Sequence, residues 1–211
     1  MPLQVWKLGG SLLDLPDLAE RLQQYKRSAG EAAPVVIIPG GGALADAVRS
    51  FDAIHHLRTD VSHELAMQTM RLSAKLVAAL LNQEPVVSPE VQDVWLASGA
   101  TRAEGRLAVW DIHEIWQRDF PRLSEKWGPI PCDWSLSSDS IAAILAAAWG
   151  AKRLVLLKST EVRAGSSPEQ WSVEGQVDVV FPQFARHVPQ ITWVNLRMPR
   201  GFGGAQKKGP E

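Results

Sequence analysis

Three short segments carry residues whose types and order could handle a phosphorylated ligand. The first is Lys7-Leu8-Gly9-Gly10-Ser11, the second Pro39-Gly40-Gly41-Gly42-Ala43-Leu44-Ala45-Asp46, the third Trp134-Ser135-Leu136-Ser137-Ser138-Asp139-Ser140. Glycine lets a backbone approach a ligand closely and adopt angles that other residues resist. A glycine turn leading to a helix N-terminus offers free N–H groups and the positive end of the helix dipole, which favours an anion. Two such turns on one edge could hold two phosphates facing each other. Lys7 could neutralise charge on a group passing between them, because phosphoryl transfer needs positioning and charge stabilisation more than covalent chemistry. Asp139 could face the same crevice and orient Lys7 through a charge-assisted hydrogen bond. Each segment also has a plain reading. Glycine turns after strands are common, and Ser138 or Asp139 capping an alanine-rich helix explains the third segment by itself.

The elements around these segments must bring them to one edge. Leu3–Leu8 and the apolar, β-branched run Val35–Ile38 read as strands, each closed by glycines, the second buried on both faces. Asp14 and Pro16 followed by Leu18 and Leu22 start a helix that ends near Gly30. Helical spacing resumes at Leu44, Val48 and Phe51, and again over Ser62–Leu81 with Ser62 as cap. Pro85–Ser88 is a candidate strand, and Val91–Ala97 fits either class. Asp111 caps a short helix through Gln117. Phe120–Trp134, rich in Pro and Trp, reads as loop. A helix from Ser138 or Asp139 closes on Gly150. Arg153–Leu157 is a strand, Gly165–Gly175 a polar loop, Ile191–Leu196 a last strand, and the tail from Gly201 is expected to be mobile. Strands alternating with helices predict an α/β fold. In a mostly parallel sheet the strand C-termini share one edge, where ligands bind.

At 211 residues the chain suits one domain. Its 22 basic and 23 acidic residues leave no electrostatic footprint for nucleic acid or an anionic membrane. The start lacks a signal peptide's pattern and no apolar run approaches a membrane span, so a cytoplasmic location is expected. The lone Cys132 excludes an intramolecular disulfide. His55, His56 and His63 invite a metal site, but surface or pocket histidines are the simpler reading and none is assigned. Trp6, Trp149 and Trp193 fit a core. Trp95, Trp110, Trp116, Trp127 and Trp134 could form a wall over a flat ligand or simply fill the core. The P-loop, G-x-G-x-x-G, and HRD and DFG signatures are missing.

Taken in order, K-x-G-G-S, strand-P-G-G-G, and S-D-S-I-A-A followed by G-A-K-R-L-V-L-L-K resemble the amino acid kinase family over roughly Val5–Val162. That family includes acetylglutamate kinase, aspartokinase, uridylate kinase and isopentenyl phosphate kinase. The resemblance implies a three-layer α/β/α sandwich, ATP with Mg²⁺, a small anionic acceptor, and relatives that are often dimers or larger. No interface signature stands in the sequence. The resemblance implies that Lys7 stabilises the transferring group, that Asp139 organises that lysine, and that Lys7, Gly9, Gly10, Ser11, Lys158, Ser159 and Thr160 lie at the nucleotide. Gly40, Gly41, Gly42, His63, Arg71, Ser137 and Ser138 are the implied acceptor residues. The compact length, His63-Glu64-Leu65-Ala66, Asp133-Trp134-Ser135 and Leu157-Lys158-Ser159 look most like kinases of an aminomethylfuran phosphate in methanofuran biosynthesis. Uridylate- or isopentenyl-phosphate-type activity and a catalytically silent nucleotide sensor are the alternatives. Lys158-Ser159-Thr160-Glu161-Val162-Arg163 departs from the family's T-D-V-D-G-V turn, and no lysine lies between Gly165 and Val188. Lys158, Arg163 or Arg186 is then left to serve as the second cation.

Overall fold

The computed structural model describes residues 2–29, 33–97 and 107–198. Five strands, β1 (Gln4–Leu8), β2 (Val35–Pro39), β3 (Leu107–Val109), β4 (Arg153–Lys158) and β5 (Ile191–Asn195), form one sheet. Their order is β3-β2-β1-β4-β5 and every pair is parallel. Helices lie on both faces: α1 (Leu18–Ser28), α2 (Gly42–His55), α3 (Thr59–Leu80), α4 (Pro89–Ala97), α5 (His113–Trp127), α6 (Ser138–Ala148), α7 (Pro168–Val173) and α8 (Phe181–Ala185). The three-layer arrangement expected from the sequence is present.

The strands are apolar on both faces, and alternation sorts their side chains. Val5, Val36, Ile38, Leu154 and Leu156 join a core with α5, α6 and α8. Trp6, Leu8, Val35, Ile37, Val155 and Leu157 join a second core with α1 and the C-terminal half of α3. This parity fixes two lysines. Lys7 shares the face of Val5, and Lys158 shares that of Leu156, so both point toward α6. Lys7 pairs in register with Leu156, which sets the two ammoniums one pleat apart on neighbouring strands.

Helix boundaries differ from expectation in several places. α3 starts at Thr59, not Ser62, after His56 turns the chain at φ 51. α4 resolves Val91–Ala97 as helix. Pro85–Ser88 contributes only a bridge from Val86 to Trp110. Phe120–Trp127, expected as loop, continues α5 through Pro121, because Ile115, Trp116 and Leu123 form a buried helical stripe. That burial offsets the one backbone hydrogen bond a proline cannot donate. Ser137, rather than Ser138 or Asp139, caps α6, and Gly150 follows its end at φ +65. β3, α7 and α8 were not anticipated. Gly30 and the tail from Gly201 lie outside the described residues. Among the described residues no helix is long and apolar enough to cross a membrane.

Candidate active site

The loops after β1, β2 and β4 meet at the C-terminal edge of the sheet, where the chain order turns to either side of β1. The first glycine turn hydrogen-bonds to β4 through Gly9 N–H and the Leu157 carbonyl, 2.8 Å. The second hydrogen-bonds to β1 through Gly40 N–H and the Leu8 carbonyl, 2.8 Å. The two turns press backbone on backbone. A Cβ at Gly10 would collide with the Gly42 amide, and Gly42 itself sits at φ +56. A Cβ at Gly40 would come within 2.7 Å of Ser138 Oγ, which ties the second turn to the α6 N-terminus. Gly41 packs in the same way on Thr69 of α3.

Asp139 lies beneath these turns. Its carboxylate holds Lys7 Nζ at 2.8 Å on one oxygen and Lys158 Nζ at 2.6 Å on the other. Lys7 and Asp139 are each 4% exposed. Burial alone would push the Asp139 pKa up, but Lys7 and Lys158 together outweigh it and hold it below the usual carboxylate range. Lys158 moves the other way. Burial and then the neighbouring Lys7 charge pull it down to about 8, against the opposing pull of Asp139. Lys158 also donates to the Gln176 carbonyl at 2.8 Å and lies 5.3 Å from the Trp193 ring centroid. The two ammoniums lie under two glycine turns, a setting that attracts phosphate.

Of the nucleotide candidates, Gly9, Lys158, Ser159 and Thr160 lie on the β4 side, while Gly10 and Ser11 also line the cavity on the acceptor side. Ser11 and Ser159 hydroxyls hydrogen-bond at 2.9 Å, joining the first turn to the loop after Lys158. The Thr160 carbonyl accepts the Trp193 indole N–H at 2.8 Å. On the other side a cavity of about 250 Å³ opens between α2, α3 and the α6 start, with Gly10, Gly41, Gly42, His63, Ser137 and Ser138 in its wall. α2 begins there with no side-chain cap on its N-terminal amides. Burial lowers the pKa of His63, which favours a neutral imidazole, and its Nε2 has no partner.

Arg71 is not in that wall. It pairs with Asp111 at 3.0 Å and Glu114 at 3.3 Å, because the fully buried Asp111 carboxylate requires a cation. Arg186 donates to the neighbouring His187 at 3.4 Å and makes no ion pair with Asp139. Of the three cations considered for the second role, Lys158 is the one on Asp139. Trp110 and Trp116 are core, stacking edge-on with Trp95 and tilted on Phe120 respectively. Among the five mid-chain tryptophans, Trp134 is the one in the cavity wall. Several wall residues were not anticipated: Arg49, lying 4.6 Å over the Trp134 ring, Thr69, Met67 and Met70; Asp46, which ends the second glycine segment, is there too. Arg49 lies one turn after Asp46 on the same face of α2 and pairs with it at 2.9 Å. Asp178 was also missed, and nothing in its local sequence marks it.

The family model for the amino acid kinase family matches residues 2–162. This chain belongs to the amino acid kinase family. The kinase of (5-(aminomethyl)furan-3-yl)methyl phosphate from Methanocaldococcus jannaschii is 34% identical to it over 79 residues. That match spans 37% of this chain and 36% of the relative. Among solved structures, UMP kinase from Ureaplasma parvum superposes with TM-score 0.59 at 14% identity, covering 94% of this chain and 91% of that one. Uridylate kinase from Archaeoglobus fulgidus gives 0.55 at 16% identity, covering 93% and 92%. At such identities these two kinases share the fold of this family member. Lys158, the last residue of β4, lies on the same carboxylate as Lys7.

Proposed function

We propose that the protein is an ATP-dependent kinase that moves the γ-phosphoryl group onto a small anionic acceptor. The observation that carries this is the Asp139 carboxylate shared between the ammoniums of Lys7 and Lys158 beneath two glycine turns in backbone contact. Gly9, Gly10, Ser11, Lys158, Ser159 and Thr160 hold the nucleotide phosphates. Gly40, Gly41, Gly42, Ser137, Ser138 and His63 hold the acceptor, with its phosphate at the uncapped α2 N-terminus. Lys7 meets the charge that spreads over the transferring oxygens, and Lys158 neutralises the leaving side. An entering phosphate competes with Asp139 for both ammoniums, so the carboxylate aims them without consuming their charge.

Mg²⁺ fits as the partner of the nucleotide rather than as a resident ion. Asp139 is committed to two lysines, and among the described residues no group of three His, Cys, Asp or Glu side chains could hold a metal. Phosphate oxygens and water would then supply its ligands, the usual coordination of this ion.

The favoured acceptor is a phosphomonoester, an aminomethylfuran phosphate being the case the curated relative supports. A ring of that size suits a cavity of about 250 Å³ with Trp134, Met67 and Met70 in its wall. The apolar row left exposed on α2 and α3, Phe51, Ile54, Leu72 and Leu76 among it, supports the homo-oligomer implied by the resemblance. The test is ATP turnover with phosphomonoester and carboxylate acceptors, the product followed by phosphorus NMR. A new diphosphate resonance and matching ADP are expected with a phosphomonoester. ATP binding without ADP formation on any acceptor would instead make the protein a nucleotide sensor.

A further inference from the structure

Asp178 lies in the loop between α7 and α8 and touches neither glycine turn. Its carboxylate nevertheless collects six donors. One oxygen accepts the Ser137 N–H at 3.2 Å, the Ser137 hydroxyl at 2.5 Å and the Ser140 N–H at 3.3 Å. The other accepts the Ser140 hydroxyl at 2.5 Å and the N–H groups of Val180 and Phe181, both at 3.0 Å. Four of these donors belong to the first turn of α6. A negative charge there is favoured by the helix dipole and by amides that lack intrahelical partners.

The consequence reaches Asp139 by a short path. Ser137 Oγ donates to Asp178 and accepts from the Asp139 N–H at 3.1 Å. Ser140, completely buried, is held by the same carboxylate on the residue after Asp139. Asp139 is thus gripped on both sides by residues that Asp178 fixes. The same loop also reaches Lys158, because Gln176, two residues before Asp178, accepts the Lys158 ammonium through its carbonyl. One loop therefore sets the carboxylate and one of its two cations in a common frame.

We propose that Asp178 is a positioning residue for the Lys7–Asp139–Lys158 cluster: by clamping Ser137 and Ser140 it holds Asp139 and Lys158 in the geometry that phosphoryl transfer requires. Its role in turnover rests on the kinase function proposed above, whereas its effect on the cluster does not. A misplacement on the order of 1 Å in a reacting constellation costs about 10²-fold in rate. Loss of Asp178 should therefore lower kcat by a larger factor than it raises the KM for ATP, since Ser11 and Ser159 are outside the clamp and Lys158 alone of the nucleotide residues is held by its loop.

The charges facing Lys158 are Lys7 on β1, Asp139 on α6 and Asp178 on the loop, so a neutral residue at 178 should also ease deprotonation of Lys158. The experiment uses the full chain with Asp178→Asn and Ser140→Ala. Two readouts are taken: kcat and KM with ATP and the working acceptor, and the titration midpoint of Lys158 by NMR of ¹³C-methylated lysines without ligand. Expected for Asp178→Asn are a kcat lower by about 10²-fold and a Lys158 midpoint moved to lower pH. Ser140→Ala, which removes one hydroxyl and leaves the carboxylate, should give a smaller fall in kcat and serves where the first variant does not fold. Unchanged kcat and an unmoved midpoint in a folded variant would overturn the proposal. Wild-type protein that is inactive on every acceptor, yet shows the midpoint shift, would retire the kinase reading while leaving the clamp in place.

Discussion

Two helices start at the same crevice and are built in opposite ways. α6 buries eight of its eleven residues, and α2 buries none of its fourteen. The α6 start is capped by Ser137, clamped by Asp178 and loaded with a carboxylate between two cations. The α2 start has no side-chain cap, and its polar wall residues Asp46 and Arg49 pair with each other near solvent, 71% and 53% exposed. The contrast suggests a division of labour. On the proposed function, the groups that act on every phosphoryl transfer are packed into the core, where low dielectric strengthens them and fixes them. On the proposed function, the part of the acceptor wall that α2 supplies lies on a surface helix that can change without disturbing that core.

Removing the buried partner should have the larger effect. Asp139→Ala leaves two ammoniums facing each other in a dry site, and breaking such a pair costs about 3–5 kcal/mol. Urea titration of the variant checks this. A loss no greater than that of a surface substitution would show that the cluster is wetter or looser than its geometry implies.

The next effect follows from Lys158, whose pKa burial and Lys7 pull down to about 8. The charged form exists below that value, so kcat/KM should fall as pH rises through it, about tenfold per unit well above it. Bound phosphate favours the ammonium, so the corresponding limb in kcat should lie at higher pH. Lys158→Arg keeps its charge throughout this range and should remove the alkaline limb, if activity survives the bulkier head group. A wild-type profile flat to pH 10 in kcat/KM would separate Lys158 from turnover.

The smallest effect on folding belongs to the acceptor side. Arg49→Ala removes a guanidinium that is half exposed and stacked on Trp134, and surface changes of this kind shift stability within about 0.5 kcal/mol. It should instead raise the acceptor KM several-fold with the ATP KM unchanged. Steady-state kinetics with each substrate varied in turn would show it, and equal loss for both substrates would blur the division between the helices.

The same division governs what could be read from the sequence. The cluster was legible because each member sits at a strand end or helix start with a local signature: Lys7 before glycines, Asp139 before an alanine helix, Lys158 closing an apolar strand. Their convergence follows from parallel strands and side-chain parity, both properties of sequence pattern. The acceptor wall was less legible. Arg49, Thr69 and Met70 come from helix faces whose orientation depends on packing, and Arg71 was drawn away by the buried Asp111. Asp178 had no local mark, since its meaning lies in a contact 41 residues away with Ser137. α7 did carry a mark, the capping box of Ser167 and Gln170 with Pro168 at the first turn, within a stretch read as loop. Pro121 concealed the second half of α5 because burial overruled a residue that usually ends helices.

The most direct test is single-turnover phosphoryl transfer by Lys7→Ala, with folding followed by circular dichroism and ATP binding by calorimetry. The expected result is a transfer rate lower by about 10²–10³-fold in a protein that still folds and binds ATP. Transfer at the wild-type rate would remove the buried lysine from the chemistry and contradict the central claim.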